Sequence, residues 1–69
     1  MNIKENGLYR AEDGSIWRFS VENNQGTHVV MYNGELRVVV DSRTGKSLTP
    51  YRTNIIHYLP KEDYPEEYL

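Results

Sequence analysis

Two dipeptides, Asp13-Gly14 and Asn33-Gly34, constrain this chain more than anything else in it. Each is a strong signal for a two-residue hairpin loop. The type I′ turn needs positive φ at both central residues, which Asn, Asp and Gly tolerate best. Longer turns read over Asn23-Asn24-Gln25-Gly26 and over Ser42-Arg43-Thr44-Gly45, the latter with its glycine at a left-handed position. Only short segments remain between these turns, and they are rich in β-branched and aromatic residues. The spacing predicts an antiparallel meander and not a helical protein.

The loops propose a register that the hydrophobic pattern checks. With Asn33-Gly34 as the loop, Met31 opposes Leu36, Val30 opposes Arg37 and Val29 opposes Val38. Opposed residues share a face, and faces alternate along a strand. Val29, Met31, Leu36, Val38 and Val40 then form one face, and His28, Val30, Tyr32, Glu35, Arg37 and Val39 the other. With Asp13-Gly14 as the loop, Arg10 opposes Trp17, Tyr9 opposes Arg18 and Leu8 opposes Phe19. Leu8, Trp17, Phe19 and Val21 share the core face, with Arg10 beside the indole for a cation–π contact, while Tyr9, Ala11, Ile16 and Arg18 turn away. The predicted core is Trp17, Phe19, Val29, Met31, Leu36 and Val38.

Residues 51–59 read as a strand by propensity, although Ile55, Ile56 and Leu59 also have the spacing of a helical turn after Pro50. Five short strands leave edges that need closing or covering. The fold class expected is therefore all-β: a small antiparallel meander closing into an SH3-like, partly open barrel of about five strands. The likeness to SH3-like barrels is one of architecture and carries no function. The other arrangement is a twisted sheet that dimerises or is covered by the end of the chain. Residues 1–59 form the β domain, and 60–69 an acidic, proline-containing, extended arm.

With 69 residues and no cysteine, neither disulfides nor thiolate zinc sites hold this chain together. Met1 to Asn6 lacks the apolar segment of a secretory signal, and no apolar run approaches membrane-spanning length. A cytoplasmic protein without a membrane partner is expected. The net charge is −2 and unevenly spread. After Pro60 one base, Lys61, faces four acids, Glu62, Asp63, Glu66 and Glu67, so the arm carries −3 and the rest +1. That balance argues against both a strongly basic nucleic-acid binder and an acidic mimic of DNA.

The search for catalytic chemistry returns little. His28 and His57 stand apart, each among ordinary strand residues and outside any nucleophile motif. Gly45-Lys46-Ser47 ends like a phosphate-binding loop, but the glycine required five residues earlier is Val40. The carboxylate pairs Glu12-Asp13, Glu62-Asp63 and Glu66-Glu67 fall on a turn and on the arm, where they read as solvated charge, and no metal-ligand spacing occurs. No catalytic, cofactor or metal site is predicted, and the chain reads as no enzyme.

One constellation stands out. The faces turned from the core collect Tyr9, Ile16, Arg18, Val30, Tyr32, Arg37 and Val39. Aromatics and arginines on an exposed sheet suit protein–protein hot spots, and they also suit single-stranded nucleic acid. The plainer reading is that these groups fill a second, partly buried face of a small barrel. On the arm, Tyr64, Tyr68 and Leu69 are expected to hold the segment against its own barrel or a neighbour, near Arg18, Arg37 or Arg52. The function expected is a non-enzymatic interaction module or small regulator that docks on a partner protein or on itself as a homodimer. Its size suits a bacterial or phage accessory protein. The alternative is a sheet that binds single-stranded nucleic acid through tyrosines and arginines.

Overall fold

A computed structural model describes residues 2–50 and 52–69. Five antiparallel strands, β1 (Leu8–Ala11), β2 (Ile16–Glu22), β3 (His28–Asn33), β4 (Leu36–Asp41) and β5 (Ile55–Leu59), form one sheet in the order β4-β3-β2-β1-β5. The sheet curls strongly into a half-barrel, an all-β, SH3-like meander. The segment 51–59 thus resolves to a strand over its second half. No helix among the described residues is long and apolar enough to cross a membrane.

The connection between β4 and β5 sews the open side together. Ser47 bridges Val40, the Leu48 amide donates to the Val39 carbonyl at 2.7 Å, and the Val39 amide donates to Thr49 Oγ1 at 2.9 Å. At its near end the Ile55 amide donates to the Gly45 carbonyl at 2.8 Å. One connection thereby occupies the outward groups of one edge strand and the start of the other, which is how a small sheet protects edges that would otherwise pair with other chains.

The β1–β2 hairpin departs from the predicted register by one residue. Its loop holds three residues, Glu12, Asp13 and Gly14, closed by Ala11 N–H to Ser15 O at 2.8 Å and Gly14 N–H to Ala11 O at 3.0 Å. Asp13 Oδ1 accepts from the Ser15 amide (2.9 Å) and hydroxyl, and Trp17 Nε1 donates to Ser15 Oγ at 2.8 Å. This side-chain lattice draws Ser15 into the turn and lengthens the loop. Tyr9 now opposes Trp17, and Leu8 opposes Arg18. A slip of one exchanges the two faces of a strand. Tyr9 and Ala11 therefore join the central cluster, Leu8 stays fully buried but outside that cluster, and Arg10 lies on the face opposite the indole, donating to Gly14 O at 2.9 Å.

At the second hairpin the slip is of two residues, and its consequence is the reverse. Gly34 and Glu35 form the loop, with Asn33 opposite Leu36 and Met31 opposite Val38. A shift of two keeps every residue on its face, so Val29, Met31, Val38 and Val40 are all buried as expected. Leu36 is the exception: at the turn end of β4 it stays 49% exposed. A bulge at Ser20 adds a further correction, because it brings Val21 opposite Val30 on the outer face, where it is 55% exposed.

The central cluster is Ile3, Tyr9, Ala11, Trp17, Val29, Met31, Val38, Val40 and Ile55, with Phe19 and Tyr58 half-buried against it, and the opposed pair Leu8 and Leu59 on β1 and β5 is buried as well. Phe19 and Leu36 thus fall out of the predicted core. Ser42, the one buried polar residue among those described, ties three segments together: its hydroxyl donates to Gly26 O, its amide to Thr27 O, and its carbonyl accepts from Ile3 N–H. After Pro60 the chain does not run extended. It makes two 3₁₀ turns, Lys61–Asp63 and Glu66–Tyr68, each preceded by a proline whose fixed φ suits the first position of a turn.

Candidate interaction face

Three bases sit on strands, Arg10, Arg18 and Arg37, and strand alternation places all three on the outer face. The register then fixes their neighbours. Arg18 on β2 lies directly opposite Tyr32 on β3, and Tyr32 directly opposite Arg37 on β4. One row thus reads Arg18, Tyr32, Arg37 across three strands, with all three side chains exposed. A second row, displaced toward the other end of the same strands, reads Val21, Val30, Val39. The Ser20 bulge is what completes it, since a regular β2 would have turned Val21 inward.

Ile16, exposed in part, extends the face toward the first hairpin, where it opposes Arg10. Arg52 adds a further guanidinium at the β4 edge, its Nε donating to the Arg37 carbonyl at 3.2 Å. Neither acid carried by a strand breaks the cationic row. Glu22 opposes the core residue Val29, and Asp41, at the end of β4, turns its carboxylate to the amides of Arg43 and Thr44. The face joins an aromatic ring between two cations to a band of β-branched side chains.

Of the seven residues predicted for this face, six occupy it: Ile16, Arg18, Val30, Tyr32, Arg37 and Val39. Tyr9 does not. It is buried against the ring of Tyr58, centroids 5.3 Å apart at 64°, with its hydroxyl donating to Glu5 O at 2.8 Å. Burial raises the Tyr9 phenol above its ordinary value, and the same cause, followed by the nearby charge of Glu5, raises Tyr58. Val21 is the face residue that sequence reasoning missed. Its signal was Ser20, a small polar residue interrupting an apolar strand.

Of the arm residues, Tyr64 and Tyr68 are half-buried, whereas Leu69 is 86% exposed. The Tyr64 hydroxyl reaches Gly7, so this part of the arm lies by β1 and Tyr58. His28 and His57 are exposed on separate strands, and Gly45-Lys46-Ser47 serves as the exit of a turn and the bridge to Val40. Among the described residues there is no pocket and no group of three metal-binding side chains.

Fold and face together define a small all-β half-barrel that gathers its strand-borne cations on one side of its sheet. Compared with known protein families, curated proteins and solved structures, the chain matches none.

Proposed function

We propose that this chain is a non-enzymatic interaction module that docks onto a partner protein through the outer face of its sheet. The observation that carries the reading is the Arg18–Tyr32–Arg37 row beside the Val21–Val30–Val39 row. Tyrosine and arginine dominate interface hot spots because each combines a large contact area with directed polar groups. The valines supply apolar surface that loses water on docking, at roughly 25 cal/mol per Å². A cysteine-free chain of this kind suits a reducing cytoplasm.

The same row would stack and neutralise a single nucleic-acid strand. Two features favour a protein instead: the valine band, which a phosphate backbone does not use, and the net charge of −2. Affinity capture from the native cell tests the reading, using the wild type, Arg18→Glu/Arg37→Glu and, as a control on the first hairpin loop outside the Arg18–Tyr32–Arg37 row, Glu12→Lys. A protein retained by the wild type and the control but lost from the double variant supports it. Retained nucleic acid that is lost in the same way would replace it with the alternative.

A further inference from the structure

Two cations of the outer face and three anions of the arm make no contact with each other among the described residues. Neither the Arg18 nor the Arg37 side chain makes a hydrogen bond or ion pair among the described residues. Nor do the carboxylates of Asp63, Glu66 and Glu67. Opposite charges of similar number thus stand on one chain without meeting within it. The apolar groups repeat this division. Leu69, at 86%, is the most exposed large hydrophobic residue among those described, and Val21, at 55%, is the most exposed of the outer valines.

Tyr64 brings the first half of the arm to Gly7, and of the residues that follow, Glu66, Glu67 and Leu69 are exposed while Tyr68 is half-buried. Building on the docking reading above, we infer that the occupant of the face is a second copy of this chain. Glu66 and Glu67 of one copy lie against Arg18 and Arg37 of the next, and Leu69 lies on Val21, Val30 and Val39. The two surfaces involved are different, so the contact repeats head to tail unless two copies exchange it reciprocally. Such a contact gives assemblies that grow with concentration unless they close into a ring. Ion pairs at so exposed a surface are screened by salt, so the assembly weakens as ionic strength rises.

Sedimentation of the full chain over a dilution series up to about 1 mM, which reads weak association, tests the inference. The expected result is a sedimentation coefficient that rises with concentration and falls with added salt. Arg18→Glu/Arg37→Glu and Glu66→Lys/Glu67→Lys should each weaken association by about ten-fold or more, and the four changes together should restore it to within about three-fold, because only reciprocal reversal re-pairs the charges. A wild type that stays monomeric throughout overturns the inference, and so does a fourfold variant that fails to recover.

A second measurement separates this failure from failure of the docking reading. Isotope-labelled protein is titrated with an unrelated peptide of alternating Glu and Leu, and then with oligothymidylate. Shifts of the Arg18, Tyr32 and Arg37 amides with the peptide, in a chain that does not self-associate, leave the docking face standing and remove only the second copy. No shift with the peptide removes both, and shifts with oligothymidylate alone put nucleic acid in their place.

Discussion

The hydroxyl of Tyr64 lies 3.1 Å from where a Cβ on Gly7 would stand, so the arm packs tightly over Gly7. Gly7 also has φ of 152°, a conformation that side chains rarely adopt. Gly7→Ala therefore meets two penalties, backbone strain and displacement of Tyr64, of about 1–3 kcal/mol together. In a Tyr64→Leu background the steric part disappears and the strain remains, so the loss on Gly7→Ala should shrink without vanishing. A double-mutant cycle by urea denaturation measures this, and strictly additive losses would show that the arm does not press on Gly7.

At the β3–β4 turn the strain comes from the backbone alone. Gly34 has φ of 58°, and nothing lies within 4 Å of a Cβ built there. Gly34→Val should destabilise by about 1–2 kcal/mol, whereas Gly34→Asn should cost much less, because asparagine visits the left-handed region readily. Equal losses from both would point to crowding in place of strain.

Trp17 and Phe19, two residues apart on β2, differ in how much they hold. Trp17 is buried in the core and Phe19 only half-buried against it. Trp17→Ala should cost about 3–5 kcal/mol, which is as much as a domain this small commonly has, and should leave the chain largely unfolded. Phe19→Ala should cost about half as much. Circular dichroism and denaturant midpoints check the order, and a reversed order would contradict the deeper burial of Trp17.

Stability should fall at both ends of the pH scale, for different reasons. The Ser15 hydroxyl, and then its amide, holds the Asp13 carboxyl below its ordinary value, and the amide of Arg43 does the same for Asp41. A depressed folded value means stability that is present above the ordinary carboxylate range, near ~4, and lost as pH falls through it. Tyr9 and Tyr58 are raised by burial, so their contribution is present below about 10 and lost as pH rises past it. Melting temperatures against pH should show a plateau between two falling limbs. Asp13→Ala/Asp41→Ala should flatten the acid limb and Tyr9→Phe the alkaline one. A wild-type acid limb surviving in the double variant would contradict the assignment.

The strands and most of the outer face were legible because both rest on a period of two, which the residues state directly. Ile16, Arg18, Val30, Tyr32, Arg37 and Val39 kept their face even where the loop at Gly34 was displaced, since a slip of two residues leaves alternation intact. Tyr9 was lost because one hydrogen-bonding side chain, Asp13 on Ser15, lengthened a loop by one residue and exchanged the faces of β1. That contact is decided by local geometry, to which hydrophobic periodicity is blind. The arm was legible in its charge and in its lack of regular helix. Its two 3₁₀ turns each begin after a proline, whereas the seat of Tyr64 by Gly7 is a tertiary contact that no window of sequence contains.

The central claim, that the outer face docks a partner protein, is tested most directly by placing a photoreactive phenylalanine at Tyr32 and irradiating in the native cell. Position 32 stands between the two arginines, so a partner seated on the face must lie within reach of it. The account predicts a covalent protein adduct, whether with a second copy or another chain, that disappears when Arg18→Glu and Arg37→Glu are added and does not form from the same probe at Glu12. An adduct from Glu12 alone, or a nucleic-acid adduct at position 32, would contradict it.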